Sequence, residues 1–229
     1  MPAESLLTLG GSNPRVDIVS FEPENDEDLS QIRSLFVDGM TINNAPSSYI
    51  NKSLQSDLKD AHSMSTTYLT GRGTFLLLSE RVNEGEDAVR IPSTNSCDSE
   101  HLGNGGKRRR SIKGAVGLQD ISSTTGIGGK EASTHDSAGG ISENLNLCEL
   151  RRMSVHSSSR RMGYGTKLVQ ECICHAKKND FDGIRLYTGG WMEEAIRFYL
   201  RMGFEDRGRL EYKHDDGSAS IIAHLEMIF

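Results

Sequence analysis

Between Arg160 and Leu168 the chain reads RRMGYGTKL. Residues of these types at this spacing can hold an anion. Arg160 and Arg161 are cationic donors, and Lys167 follows one turn further on. Gly163 and Gly165 would let the backbone approach a ligand with no Cβ in the way. A helix entered at Gly163 leaves about four backbone N–H groups unpaired in its first turn, and its dipole adds positive potential there. Hydrogen bonds to a charged phosphate are worth about 1.5–3 kcal/mol each, so the run suits a pyrophosphate. It also suits an ordinary glycine turn with solvated arginines, and Gly-x-Gly alone does not separate the two. The dinucleotide fingerprint fails, because Leu168 stands where its third glycine belongs. Neither Gly-Gly-Lys run is a Walker loop: Thr124 and Glu131 break the pattern around Gly129-Lys130, and His101 breaks it before Gly106-Lys107.

The flanking pattern supplies the scaffold for such a cradle. Leu145 to Val155 reads as a strand, and Gly163 to Lys178 as a helix with Leu168, Val169, Cys172, Ile173 and Ala176 on one face. Ile184 to Tyr187 is a short strand. Met192, Ala195, Ile196 and Tyr199 recur at helical spacing, and Gly203 ends that helix. Ser220 to Ile228 is a final strand. Strand, helix, strand, helix in this order predicts a parallel strand pair joined by a right-handed crossover. Upstream, Arg15 to Phe21 alternates as a strand does, and Leu29, Ile32, Phe36 and Met40 share a helical face. A second helical pattern runs through Ile50, Leu54, Leu58, Ala61 and Met64. Thr74 to Ser79 and Ile112 to Leu118 read as strands.

The chain has 229 residues, 35% hydrophobic, with a net charge of −6 and a mean hydropathy of −0.48. One domain spanning 15–229 is expected, after a flexible 1–14. Flexible insertions are expected at about 83–111 and 122–144, where Gly, Ser, Asn and charge leave too little apolar surface to order a core. The acidic balance argues against a general nucleic-acid binder. The KRRR run at Lys107 to Arg110 reads as a solvated run in a mobile loop, with a nuclear-localisation patch as the other reading. Cys97, Cys148, Cys172 and Cys174 form no CxxC pair, so reduced thiols and no metal are expected. MPAESLLTLGGSNPRVD has no basic n-region and no long apolar run, and no stretch of about 18 apolar residues occurs. An intracellular protein, cytoplasmic and off the membrane, is the expectation. Monomer and homodimer both stay open.

The run CELRRMSVHSSSRRMGYGTKLV, followed by AIRFYLRMGF at Ala195 to Phe204, resembles the GNAT superfamily of acetyl-CoA-dependent N-acetyltransferases. Arg160 to Gly165 matches its Arg/Gln-x-x-Gly-x-Gly/Ala hallmark. Ala195, Phe198, Tyr199, Gly203 and Phe204 match its second hallmark about thirty residues on. The close resemblance covers Leu147 to Phe204. It implies an α+β fold: a mixed, mainly antiparallel sheet flanked by helices, with a parallel pair splayed open at the cofactor. The residues hint at such a splay themselves. Leu150 and Met153 are both apolar, yet their odd spacing puts them on opposite faces of a regular strand. Either that strand is buried on both sides or a bulge re-phases it.

The resemblance further implies acetyl-CoA as cosubstrate, with Met153 and Val155 offering backbone groups to its pantetheine arm. Arg160, Arg161, Met162, Gly163, Tyr164, Gly165 and Thr166 would form the pyrophosphate loop. Met192 stands where many relatives carry an asparagine that contacts the arm. Transfer to an amine needs a base, because an aliphatic amine with a pKa of about 10.4 is mostly protonated at pH 7. Glu149 is the candidate base, with a salt bridge to Arg151 or Arg209 as its structural reading. Tyr199 is the candidate acid for the leaving thiolate, and the Val155 N–H the candidate oxyanion donor. The expectation is direct acetyl transfer to a primary amine of an unidentified acceptor. A non-catalytic acyl-CoA sensor or interaction module of the same fold is the alternative.

Overall fold

A computed structural model describes residues 16–81, 110–122, 145–213, 217 and 219–229. Seven strands form one sheet: β1 (Val16–Ser20), β2 (Thr74–Arg81), β3 (Arg110–Asp120), β4 (Leu147–Val155), β5 (Gly183–Gly189), β6 (Glu205–Lys213) and β7 (Ala219–Ile228). Their spatial order is β1-β2-β3-β4-β5-β7-β6. Every neighbouring pair is antiparallel except β4 with β5. Five α-helices flank the sheet: α1 (Asp26–Ile42), α2 (Ser47–Gln55), α3 (Ala61–Tyr68), α4 (Tyr164–Lys178) and α5 (Glu193–Arg201). The expected mixed, mainly antiparallel sheet with one parallel pair is therefore present.

Two apolar clusters lie on opposite faces, as strand alternation requires. On one face Ile32 and Phe36 of α1 and Met64 and Tyr68 of α3 pack on Phe75, Leu77 and Ala115. On the other, Leu168, Val169, Cys172 and Ala176 of α4 and Ile196 and Tyr199 of α5 pack on Val116, Leu118, Leu150, Ile184, Leu186 and Leu225. The four-residue recurrence read from the sequence for α4 is the stripe that is buried.

Several expectations need correction. The helical pattern from Ile50 to Met64 is two helices, not one. Asp60 caps α3 by accepting from the Ser63 N–H at 2.7 Å, and such a side chain favours a new helix start over continuation. β6 had no sequence signal, because EDRGRLEYK is polar and bears Gly208 at φ 115 beside a register shift against β7. The proposed insertion at 83–111 overlaps β3, which begins at Arg110. Arg110 is no solvated loop residue: its guanidinium binds the fully buried Asp28 of α1. Gln31 reinforces this clamp, donating to the Arg110 carbonyl and accepting from the Ile112 N–H. Lys107 to Arg109, Cys97, the segment 1–14 and nearly all of 122–144 lie outside the described residues.

Candidate active site

β4 decides the geometry of the site. Its ladder with β5 pairs Leu147 to Leu150 with Gly183 to Leu186 and then stops. β5 continues from Tyr187 to Gly189 against β7 alone. The parallel pair therefore splays from Leu150 onward. On the β3 side, Arg151 pairs with Gly117 and Ser154 with Ala115, so β4 holds one residue more than its partner. The extra residue is Arg152, at φ 56. A bulge of this kind re-phases everything after it. Leu150 and Met153 thus face the same α4 side despite their odd spacing, which decides the alternative left open by the sequence. Met153 has a partner in neither ladder, and Val155 pairs with Gly114 only.

The strand leaves the sheet through a single 3-10 turn, Ser157–Ser159, and enters α4. Arg161 has φ 64 and Gly163 φ 77, and left-handed residues are what turn the chain sharply into the helix. The first helical bond there runs from the Lys167 N–H to the Gly163 carbonyl at 3.1 Å. Among the described residues, the N–H groups from Arg161 to Thr166 donate no hydrogen bond within the chain. This is an open row of donors at a helix N-terminus, suited to an anion.

The two glycines serve different ends. Around Gly163 a Cβ would meet nothing within 4 Å, and its left-handed φ is what selects glycine. At Gly165 a Cβ would come within 3.2 Å of Met153 Cε and 3.5 Å of Phe198 Cζ, so close helix packing is its reason. Arg160, Arg161 and Met162 are exposed. Tyr164 is buried in the α4 core, so its backbone alone reaches the loop.

A cleft of about 1520 Å³ runs through the splay. Met153, Val155, Arg160, Arg161, Gly163 to Thr166 and Tyr199 all line it, as do Glu149 and Met192. Of the residues of the loop read from the sequence, Met162 and Lys167 do not. Tyr199 packs edge-on against Phe198 and Phe204. Burial, then the nearby Cys172, pushes its phenol above the ordinary range. Met192 accepts from Thr188 Oγ1 through its sulfur at 3.5 Å. Glu149 is held by two guanidiniums, Arg185 Nε at 3.3 Å and Arg151 Nε at 3.6 Å. The expected Arg151 pair is present, but Arg209 binds Asp206 instead. Cys172 is buried, Cys174 is exposed, and His175 Nε2 lies 2.8 Å from the Arg72 carbonyl.

The opposite wall of the cleft was not foreseen. Arg152 points away from α4 and binds Asp57 with Nε at 2.8 Å and Nη2 at 2.6 Å. It also donates to Ser53 Oγ at 3.0 Å and lies 5.0 Å over the Phe36 ring. The Tyr68 hydroxyl donates to the same Asp57 carboxylate. Burial acts to raise the Asp57 carboxyl, but the Arg152 hydrogen bond and charge outweigh it and hold it well below the carboxylate range. Burial, then the Asp57 charge, pushes the Tyr68 phenol up. The partners are 95 residues apart, and no local pattern links them.

A splayed parallel pair, a bulge before it and an unpaired amide row after it form a cleft open to an anionic ligand. Residues 121–206 match the family model described as Acetyltransferase (GNAT) domain. That match spans 86 of the 229 residues, and the chain shares its fold with solved acetyltransferases. It is 43% identical over 60 residues to the probable N-acetyltransferase 14 of Xenopus tropicalis, covering 26% of this chain and 29% of that protein. The chain spans under a third of the length of the curated relatives it matches. Among solved structures, an acetyltransferase from Streptococcus agalactiae 2603 superposes with a TM-score of 0.58 at 16% identity, covering 93% of this chain and 98% of that one. The NatC complex bound to Gag peptide and CoA superposes at 0.52 and 14%, covering 93% and 98%. Among the described residues, no helix is long and apolar enough to cross a membrane.

Proposed function

We propose that the protein is an N-acetyltransferase that moves an acetyl group from acetyl-CoA to a primary amine by direct transfer in a ternary complex. The observation that carries this reading is the unpaired amide row from Arg161 to Thr166 beside a strand pair that opens at Leu150. Those amides, with the Arg160 and Arg161 guanidiniums, bind the pyrophosphate. Met153 and Val155 hold the pantetheine arm along the unpaired edge of β4. Bound acetyl-CoA supplies the activated acyl group.

The remaining steps belong to the chain. The Val155 N–H donates to the carbonyl oxygen as charge gathers there. Glu149, fixed between Arg151 and Arg185 at the mouth of the splay, takes the proton of the amine through water. The neutral amine then forms the new C–N bond as the C–S bond breaks. Tyr199 gives its proton to the leaving sulfur, its raised pKa keeping that proton in place until then, and it is re-protonated through water by the second proton that the acylated nitrogen sheds. Among the described residues no cysteine stands where a covalent relay would need it: Cys148 is buried and its thiol pushed up to about 12 by burial, Cys172 lies in the α4 core, and Cys174 does not line the cleft.

The test joins two measurements. Calorimetric titration with acetyl-CoA should show one site. Thiol release over amino acids, lysine peptides, peptide N-termini and polyamines should then show amine-dependent turnover. Binding without release on any amine sinks the transfer reading and leaves an acyl-CoA sensor.

A further inference from the structure

On the face of β4 away from α4, the cleft carries charges that are not evenly matched. Glu149, Arg151, Arg152 and Ser154 line it there. Arg152 is fully engaged by Asp57 through two hydrogen bonds. Glu149 is shared between Arg151 and Arg185. Arg185, which does not itself line the cleft, brings the group to three guanidiniums against two carboxylates. The surplus falls on Arg151, whose contact with Glu149 is long at 3.6 Å and whose Nη1 is spent on neutral Gln119 at 2.9 Å. A guanidinium offers five donors, so Arg151 keeps capacity for a second planar acceptor.

Ser154 adds a second, independent feature. Its residue is buried, it lines the same cleft, and its Oγ has no hydrogen-bond partner among the described residues. A buried hydroxyl without a partner is unfavourable, and a polar group that reached it from the cleft would relieve this. The two carboxylates on this wall are each already taken by guanidiniums. On this wall no carboxylate is left to hold a second ammonium; the other carboxylates of the cleft, Glu194 and Glu211, stand on α5 and β6.

We propose that the acceptor carries a carboxylate beside its reacting amine, as an amino acid does, and that Arg151 and Ser154 bind that carboxylate. The proposal rests on the acetyl-transfer reading for its amine but not for its carboxylate, and the two can fail separately. The experiment compares amino acids with the amines left when their carboxyl is removed, together with spermidine. The carboxylate-bearing member of each pair should show at least tenfold higher kcat/KM. Arg151→Gln, which also loosens Glu149, should lower kcat/KM on both members of each pair but collapse the ratio between them at least tenfold, and leave KM for acetyl-CoA within twofold. Arg151→Lys, which keeps the charge, should restore part of the preference, and Ser154→Ala should raise KM about threefold. Equal or better turnover of the decarboxylated amines or of spermidine overturns the proposal. N-acetyl amino acids titrated into the CoA-saturated protein give a readout free of turnover. Their binding to wild type and loss in Arg151→Gln, with no transfer to any amine, would retire the transfer reading and keep the carboxylate site. No binding and no transfer would overturn both.

Discussion

On the α4 side of β4 the cleft is made of backbone; on the α1–α3 side it is made of side chains. The first wall is a row of unpaired amides and an unladdered strand edge. Its residues lie within a few positions of one another, and its glycines are dictated by a left-handed φ at Gly163 and by contact with Met153 and Phe198 at Gly165. The second wall is Asp57, Arg152, Glu149 and Arg151, backed by Tyr68 and Arg185, drawn from α3, β4, β5 and the turn between α2 and α3. The Arg152 bulge joins them: its backbone re-phases β4 for the first wall, while its side chain pins the second through Asp57. A backbone wall tolerates exchange of most side chains. A side-chain wall fails when one partner of a buried pair is removed.

That contrast orders the expected effects. Asp57→Ala strands a buried guanidinium, and breaking such a pair costs about 3–5 kcal/mol; denaturant unfolding should show the loss, and a loss under about 1 kcal/mol would mean that Arg152 finds water. Gly165→Val forces Met153 and Phe198 outward and disturbs one or two phosphate contacts, so acetyl-CoA affinity should fall about ten- to hundredfold by calorimetry. Tyr199→Phe should lower turnover at least tenfold with acetyl-CoA affinity nearly intact; unchanged turnover removes Tyr199 from the chemistry.

Acid should act through the carboxylates that folding holds ionised. Burial acts to raise Asp120, yet hydrogen bonds from Ser122 and Arg72 prevail and hold it at about 2, and Asp57 is likewise held low. A depressed carboxylate contributes stability above its unfolded pKa of about 3.9 and loses it as pH falls toward the folded value. The stability gap between wild type and Asp120→Asn should therefore be flat above about pH 5 and close between about pH 4 and 2. A gap that widens in acid would contradict the pairing. The smallest effect belongs to the exposed Glu193–Arg197 pair: Arg197→Ala should change stability by less than about 0.5 kcal/mol.

Much of the backbone wall was legible, because a helix N-terminus, a glycine turn and the strand before it are local and leave a contiguous pattern. RRMGYG and AIRFYLRMGF carried it, and the odd spacing of Leu150 and Met153 admitted the bulge as one of two readings. The break between α2 and α3 was missed because Asp60 acts as a cap only where the chain turns, while Leu58 and Met64 keep helical spacing across the gap and are both fully buried. β6 was missed because an edge strand paired on one side needs little apolar alternation.

Local periodicity and a glycine pattern determined the elements and the anion loop, since each depends on neighbours within about one turn or one strand. Tertiary structure alone decided that Arg152 would meet Asp57 and that Glu149 would sit between Arg151 and Arg185. Those pairings bring together residues up to 95 positions apart, and a charge on a sequence names no partner until the sheet has closed around it.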